Sequence, residues 1–256
     1  MNGKRTRAAA LFAILVCVGL LIAAPVFSQA KKVYVNGFDG NYPPFTYIDK
    51  DGKPDGIYIQ VAKWIAKEMG FEIEFKAVAW DAIIPTLQAK KIDFISTMTP
   101  TPERMKVVDF TSPVVDATFL AVVVREDSDL TMATALIGKN AIAVDRGASA
   151  EDWINTNLVQ AGILPQAKFK LYDNALLAIQ DVENGRANAS INDEFMVREA
   201  IKGRPMKVIG LITAPDSDNF AVRKEDVELK RLLNEGIKRI RQSPYYEQLV
   251  KQYLKK

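Results

Sequence analysis

A chain of 256 residues carries 34 Lys and Arg against 31 Asp and Glu, has no histidine and holds a single cysteine. Without histidine there is no imidazole general base and no His-ligated metal centre, and the near balance of charge gives no footing for nucleic acid or an anionic membrane as partner. The single cysteine, Cys17, excludes an intrachain disulfide and a thiolate metal cage.

In chain order, Lys4, Arg5 and Arg7 precede an apolar run over residues 8–24. Pro25 breaks the run, and Ser28-Gln29-Ala30 offers small residues at a cleavage site. This predicts a cleaved secretory leader over 1–30 and a periplasmic mature protein. The leader takes all three cations with it and no acid, so the mature chain has 31 of each sign. Residues 31–256 suffice for one large or two small domains.

Alternation predicts a first strand at 33–35, followed by the loop Asp39-Gly40-Asn41-Tyr42-Pro43-Pro44-Phe45, whose two prolines are expected to hold it extended. Asp49-Lys50-Asp51-Gly52 reads as a hairpin turn. Apolar residues at helical spacing predict a helix over 57–69 with Gly70 as its stop. Phe71, Ile73 and Phe75 alternate with charges as a half-buried strand; Trp80-Asp81 opens a helix through residue 90, and 92–96 is the next strand.

That strand runs into Thr99-Pro100-Thr101-Pro102-Glu103-Arg104. Thr101 can cap a helix whose first residue is Pro102, and Arg104 then adds a planar fork suited to a carboxylate where the terminus is already electropositive. Capping plus a surface ion pair would explain the same residues. Beyond it lie strands at 107–110 and 119–124, with a turn at Pro113, and a buried strand at 141–144. Ser149 with Asp152 resembles a capping box. Further on, a short strand at 168–171, a helix capped by Asp173 and ending near Gly185, a strand at 187–191, a helix from Asn192 to about residue 202, short strands at 208–209 and 220–222, and two closing amphipathic helices complete the pattern. Strands and helices alternating at this spacing predict an α/β fold with mostly parallel sheets.

Tyr42-Pro43-Pro44-Phe45, Trp80-Asp81, the Thr-Pro-Glu-Arg block, Gly147-Ala148-Ser149, Asn192-Asp193 and Ala221-Val222-Arg223-Lys224 occur in an order that resembles the polar amino-acid solute-binding proteins of ABC importers. The resemblance implies a two-lobed type II periplasmic binding fold that closes on its ligand by hinge motion. It places lobe 1 at 31–118 and 220–256 and lobe 2 at 119–219. It further implies that Arg104, with Thr99 and Thr101 and with Thr97 nearby, holds an α-carboxylate reached from the other lobe by Ser149. Asp193 takes the α-ammonium, Tyr42, Phe45 and Trp80 flank the ligand side chain, and Asp39 meets a polar or cationic end group. The sequence departs from the usual pattern at Gly56-Ile57-Tyr58-Ile59-Gln60, where two acids are missing, at Val114-Val115 in place of aromatics, and at Ala148 in place of a hydroxyl.

A zwitterion requires one donor-rich cationic corner and one acidic corner, and Arg104 and Asp193 are the candidates. The expected function is a monomeric, non-enzymatic receptor. It requires no metal and no cofactor, binds a polar amino acid, and hands it to a membrane permease. The alternative is a dehydratase-like enzyme in which Asp39, Asp193 or Glu194 serves as general acid.

Overall fold

The computed structural model describes residues 31–254, and at 116–118 and 214–216 the backbone alone. The leader reading falls on residues 1–30, outside the described residues.

The strands are β1 (Val33–Phe38), β2 (Asn41–Tyr42), β3 (Thr46–Ile48), β4 (Pro54–Asp55), β5 (Glu72–Ala77), β6 (Phe94–Met98), β7 (Asp109–Arg125), β8 (Ile142–Asp145), β9 (Phe169–Tyr172), β10 (Ala189–Asp193) and β11 (Met206–Val222). The helices are α1 (Ile57–Met69), α2 (Ile83–Gln88), α3 (Pro102–Val107), α4 (Met132–Ala135), α5 (Ser149–Ile154), α6 (Ala175–Glu183), α7 (Glu194–Ala200), α8 (Val227–Arg241) and α9 (Pro244–Tyr253). Eight strands line up in the order β5-β1-β6-β11-β7-β10-β8-β9, and β2-β3-β4 form a separate small sheet.

The long antiparallel pair β7 and β11 carries the architecture. At one end of this ribbon β6 pairs with β11 over Asn219 to Val222, and the parallel partners β1 and β5 follow. At the other end β10 pairs with β7 over Leu120 to Val123, followed by the parallel strands β8 and β9. The register between β7 and β11 shifts repeatedly from Ile212 to Asn219, so the two ends are joined by an irregular stretch of ribbon. Two α/β layers on one ribbon give the two-lobed type II fold.

Both long strands differ from their sequence reading. Pro113 was expected to turn the chain, yet it lies within β7 opposite Asn219; β11 likewise replaces two short strands. A proline is tolerated in a strand where its missing donor is not called on, and here the register is already irregular.

Local signals were followed where the cap is local. Thr101 is the N-cap of α3, its hydroxyl accepting from the Arg104 amide at 3.3 Å, with Pro102 in first position. Gly70 ends α1 in the left-handed region at φ +79°. Two caps shift by one residue. Asn174, not Asp173, caps α6 by accepting from Leu177 N, and Ser149 is the first residue of α5, with Ala148 at the N-cap position. The loop after Asp39 is a turn closed by Phe45 N donating to Tyr42 O at 3.0 Å, rather than extended, and its Pro43–Pro44 bond is cis.

The main core buries one stripe of α1 (Ile57, Val61, Ile65) against one of α8 (Leu229, Leu233, Ile237, Ile240). Each such side chain contributes roughly 1.5–3 kcal/mol of hydrophobic burial. The two helices approach closely at Gly236, where a Cβ would stand 2.4 Å from Ile65 Cγ2. A second cluster, with Val122, Val144, Ile154 and Ile191, fills the layer around β8 and β10.

Candidate functional site

Parallel strands leave their carboxyl ends open to a crevice, and polar residues at those ends face it. In this chain Asp39 follows β1, Thr97 and Met98 end β6 with Thr99 just beyond, and Trp80 stands in a single 3-10 turn after β5. From the other layer come Asp145, the last residue of β8, Ala148 to Ala150 at the start of α5, and Asn192 near the end of β10; the ribbon adds Leu120 and Asp218. With Tyr42 and Arg104, these residues line one cavity.

Arg104 is 7% exposed. The Thr101 cap and Pro102 set the first turn of α3 and so aim the guanidinium into the crevice. Nη1 donates to Thr99 O at 2.7 Å, Nη2 crosses to the opposite layer to donate to Gly147 O at 2.5 Å, and the guanidinium carbon stands 5.2 Å from the Trp80 ring centre. Gly147 presents that carbonyl from φ +76°, a left-handed conformation that glycine adopts without steric penalty. A guanidinium carries five N–H donors in a rigid plane, and two of them go to these carbonyls.

Two acids of the cavity are buried and shifted. Burial pushes the Asp39 carboxyl up, opposed by the Asn41 amide donating to Oδ1 at 2.8 Å. Burial pushes Asp145 up to about 6, opposed by Asn192 Nδ2 donating to Oδ1 at 2.6 Å and reinforced by the negative charge of Asp39. Thr99 Oγ1 donates to Asp218 Oδ1 at 3.4 Å.

The Asp145 shift has a consequence for stability. A carboxyl whose folded value lies above its unfolded value stabilises the fold only while protonated; that contribution is full below pH 4 and is lost as pH rises through about 6. Asp145→Asn is therefore expected to stabilise the ligand-free protein at pH 7.5, by at most about 3 kcal/mol, and to leave it unchanged near pH 4. Urea melts at the two pH values check this, and an equal effect at both would contradict it.

Of the residues singled out in the sequence, Asp39, Tyr42, Trp80, Thr97, Thr99, Arg104 and Ser149 line the cavity together. Three are not among its lining residues. Phe45 is fully buried behind Tyr42, its ring 5.3 Å from that of Tyr42, 5.9 Å from Tyr58 and 6.3 Å from Phe195. Thr101 caps α3 and lines a neighbouring groove with Pro100, Ser149 and Trp153. Asp193 caps α7, Oδ1 accepting from Phe195 N at 2.9 Å and Met196 N at 3.2 Å, while its neighbour Asn192 lines the cavity. Sequence reading passed over Asp145, Asn192 and Asp218 as site residues. For Asp145 a signal existed: an acid closing an apolar strand immediately before a glycine turn.

The sequence profile of the bacterial extracellular solute-binding proteins, family 3, matches residues 34–256. A probable histidine-binding protein of Neisseria gonorrhoeae is 28% identical over a 267-position alignment that covers 100% of this chain and 97% of that protein. Among solved structures, an ancestral arginine-binding protein bound to arginine superposes with a TM-score of 0.80 at 29% identity, over 89% of this chain and 100% of that one. An ancestral amino-acid-binding protein described as a precursor of cyclohexadienyl dehydratase does so with a TM-score of 0.75 at 32% identity, over 87% of this chain and 95% of that one.

Proposed function

The chain belongs to the bacterial extracellular solute-binding proteins, family 3, and from that we propose that it captures a polar amino acid, with a cationic or amide side chain, in the cavity around Arg104. It works as a monomer in the periplasm after loss of its leader, delivers the ligand to an ABC importer and catalyses no reaction. Residues 31–118 and 220–256 form one lobe and 119–219 the other. The ligand sits where the crevices of the two lobes meet.

One observation carries the reading: a buried guanidinium and buried carboxylates share one cavity whose walls come from both layers of the fold. A zwitterion brings a charge for each pole, which offsets the desolvation of both. Arg104 takes the α-carboxylate, helped by the hydroxyls of Thr97, Thr99 and Ser149. Thr101 contributes by fixing the helix start. Asp193 takes the α-ammonium; a carboxylate has about four lone-pair sites, so capping α7 and binding an ammonium are compatible. Tyr42 and Trp80 flank the ligand side chain, with Phe45 supporting Tyr42 from behind. Asp39 meets the end group.

Titration of the purified mature protein with each of the twenty amino acids, followed by mass spectrometry of the mixtures, tests this. At least one polar amino acid should bind with a 1:1 stoichiometry and be recovered unchanged. Recovery of a dehydrated or otherwise converted product would replace the receptor with an enzyme on the same fold, and no binding at all would remove the site.

A further inference from the structure

The cavity is lined by three carboxylates, Asp39, Asp145 and Asp218, and by one cationic side chain, Arg104. A neutral zwitterion uses Arg104 at one pole and one acid at the other. With Asp193 serving the α-ammonium all three lining acids exceed the count, and even if one of them served it two would remain. Ionised carboxylates in a desolvated cleft are costly without a cation.

Asp39 and Asp145 come from opposite layers, one after β1 and the other at the end of β8, so only the tertiary fold brings them into one cavity. Asp145 is 6% exposed, and what holds its Oδ1 is an amide, Asn192 Nδ2, not a cation. An amide fixes the carboxylate in place without neutralising it, and the charge of Arg104 offsets the cost of burial only in part, since the carboxyl stays raised. Apposed like charges also oppose closing the cleft around a ligand with an uncharged end. Discrimination would then arise from the penalty on the wrong ligand as much as from attraction to the right one.

Resting on the reading above, we propose that Asp145, oriented by Asn192, is a specificity-determining residue which with Asp39 forms a two-carboxylate subsite across the cleft, selecting amino acids that carry a second cationic group. The groups facing Asp145 fit this role. Asp39 after β1 keeps the subsite negative, the positive charge of Arg104 on α3 acts on Asp145 more weakly than burial does, and Asn192 on β10 is uncharged. On the neighbouring strand β9, Tyr172 pairs with Asp145 through the backbone, and its hydroxyl is engaged with Asp181. Because Asp145 holds its proton up to about pH 6, the preference for a cation should itself be weaker in acid.

L-arginine and L-citrulline have the same length and differ in the charge of the end group, so the ratio of their dissociation constants isolates the subsite. Calorimetry at pH 7.5 should show the wild-type protein binding arginine at least tenfold more tightly than citrulline. In Asp145→Asn that ratio should fall by about tenfold, with citrulline still bound. In the wild-type protein, which involves no question of folding, the ratio should shrink severalfold between pH 7.5 and pH 5. A ratio that survives the substitution, or is flat with pH, overturns the assignment of Asp145 while leaving amino-acid capture intact. Failure of every amino acid to bind overturns the underlying site and this subsite together.

Discussion

Arg104→Ala is expected to weaken amino-acid binding by about 2 to 5 kcal/mol, roughly 30-fold to several thousandfold in dissociation constant. The magnitude follows from burial: Arg104 is 7% exposed, so without its guanidinium a ligand carboxylate in the cavity would be desolvated and left without its partner. Arg104→Lys should recover only part of the loss, because a point ammonium cannot reproduce the planar fork that meets both oxygens of a carboxylate. The substitution also removes the hydrogen bond from Nη2 to Gly147 O, which joins the two layers of the fold, so ligand-induced compaction in small-angle scattering should be reduced as well. Calorimetry on a variant whose circular dichroism matches the wild type decides the matter. Wild-type affinity in Arg104→Ala would refute the carboxylate socket.

Phe45→Ala is expected to cost about 3 to 5 kcal/mol of folding stability, the usual range for truncating a fully enclosed aromatic side chain. Phe45 is 0% exposed and its ring meets Tyr42, Tyr58 and Phe195, so no rearrangement of one neighbour alone can fill the space. For a chain of this size each 1 kcal/mol corresponds to about 2–4 °C, so the midpoint should drop by about 6–20 °C. Urea denaturation with and without saturating L-arginine separates this role from ligand contact. A structural role lowers stability in both titrations, whereas a residue touching only the ligand would lower it only in the titration with L-arginine present. A change below about 1 kcal/mol in the ligand-free protein would contradict the packing role.

Phe45 also shows where sequence reading stops. Tyr42 and Phe45 are alike in sequence, two aromatics flanking a proline pair, and both were expected beside the ligand. The turn closed by Phe45 N and Tyr42 O sends one ring to the cavity wall and the other into the core. Nothing in the residue types distinguishes them. The capping residues tell the same story at smaller scale. Thr101 before Pro102 is read correctly because the proline fixes the start of the helix, whereas at 148–149 and 173–174 two polar or small residues compete and the docking of the helix chooses between them.

What the sequence determined alone is what local chemistry and periodicity decide: the alternation of strands and helices, the capped start of α3 that holds Arg104, and the exclusion of histidine and thiolate chemistry. Hydrophobic period, proline geometry and side-chain capping act over a few residues, so they are written in the chain itself. Only the tertiary structure decided that β7 and β11 run unbroken as one ribbon, that Phe45 turns inward, and that Asp39 and Asp145 share a cavity. Those outcomes depend on which strand ends meet across the cleft, and residues more than a hundred positions apart come together only once the whole core has packed.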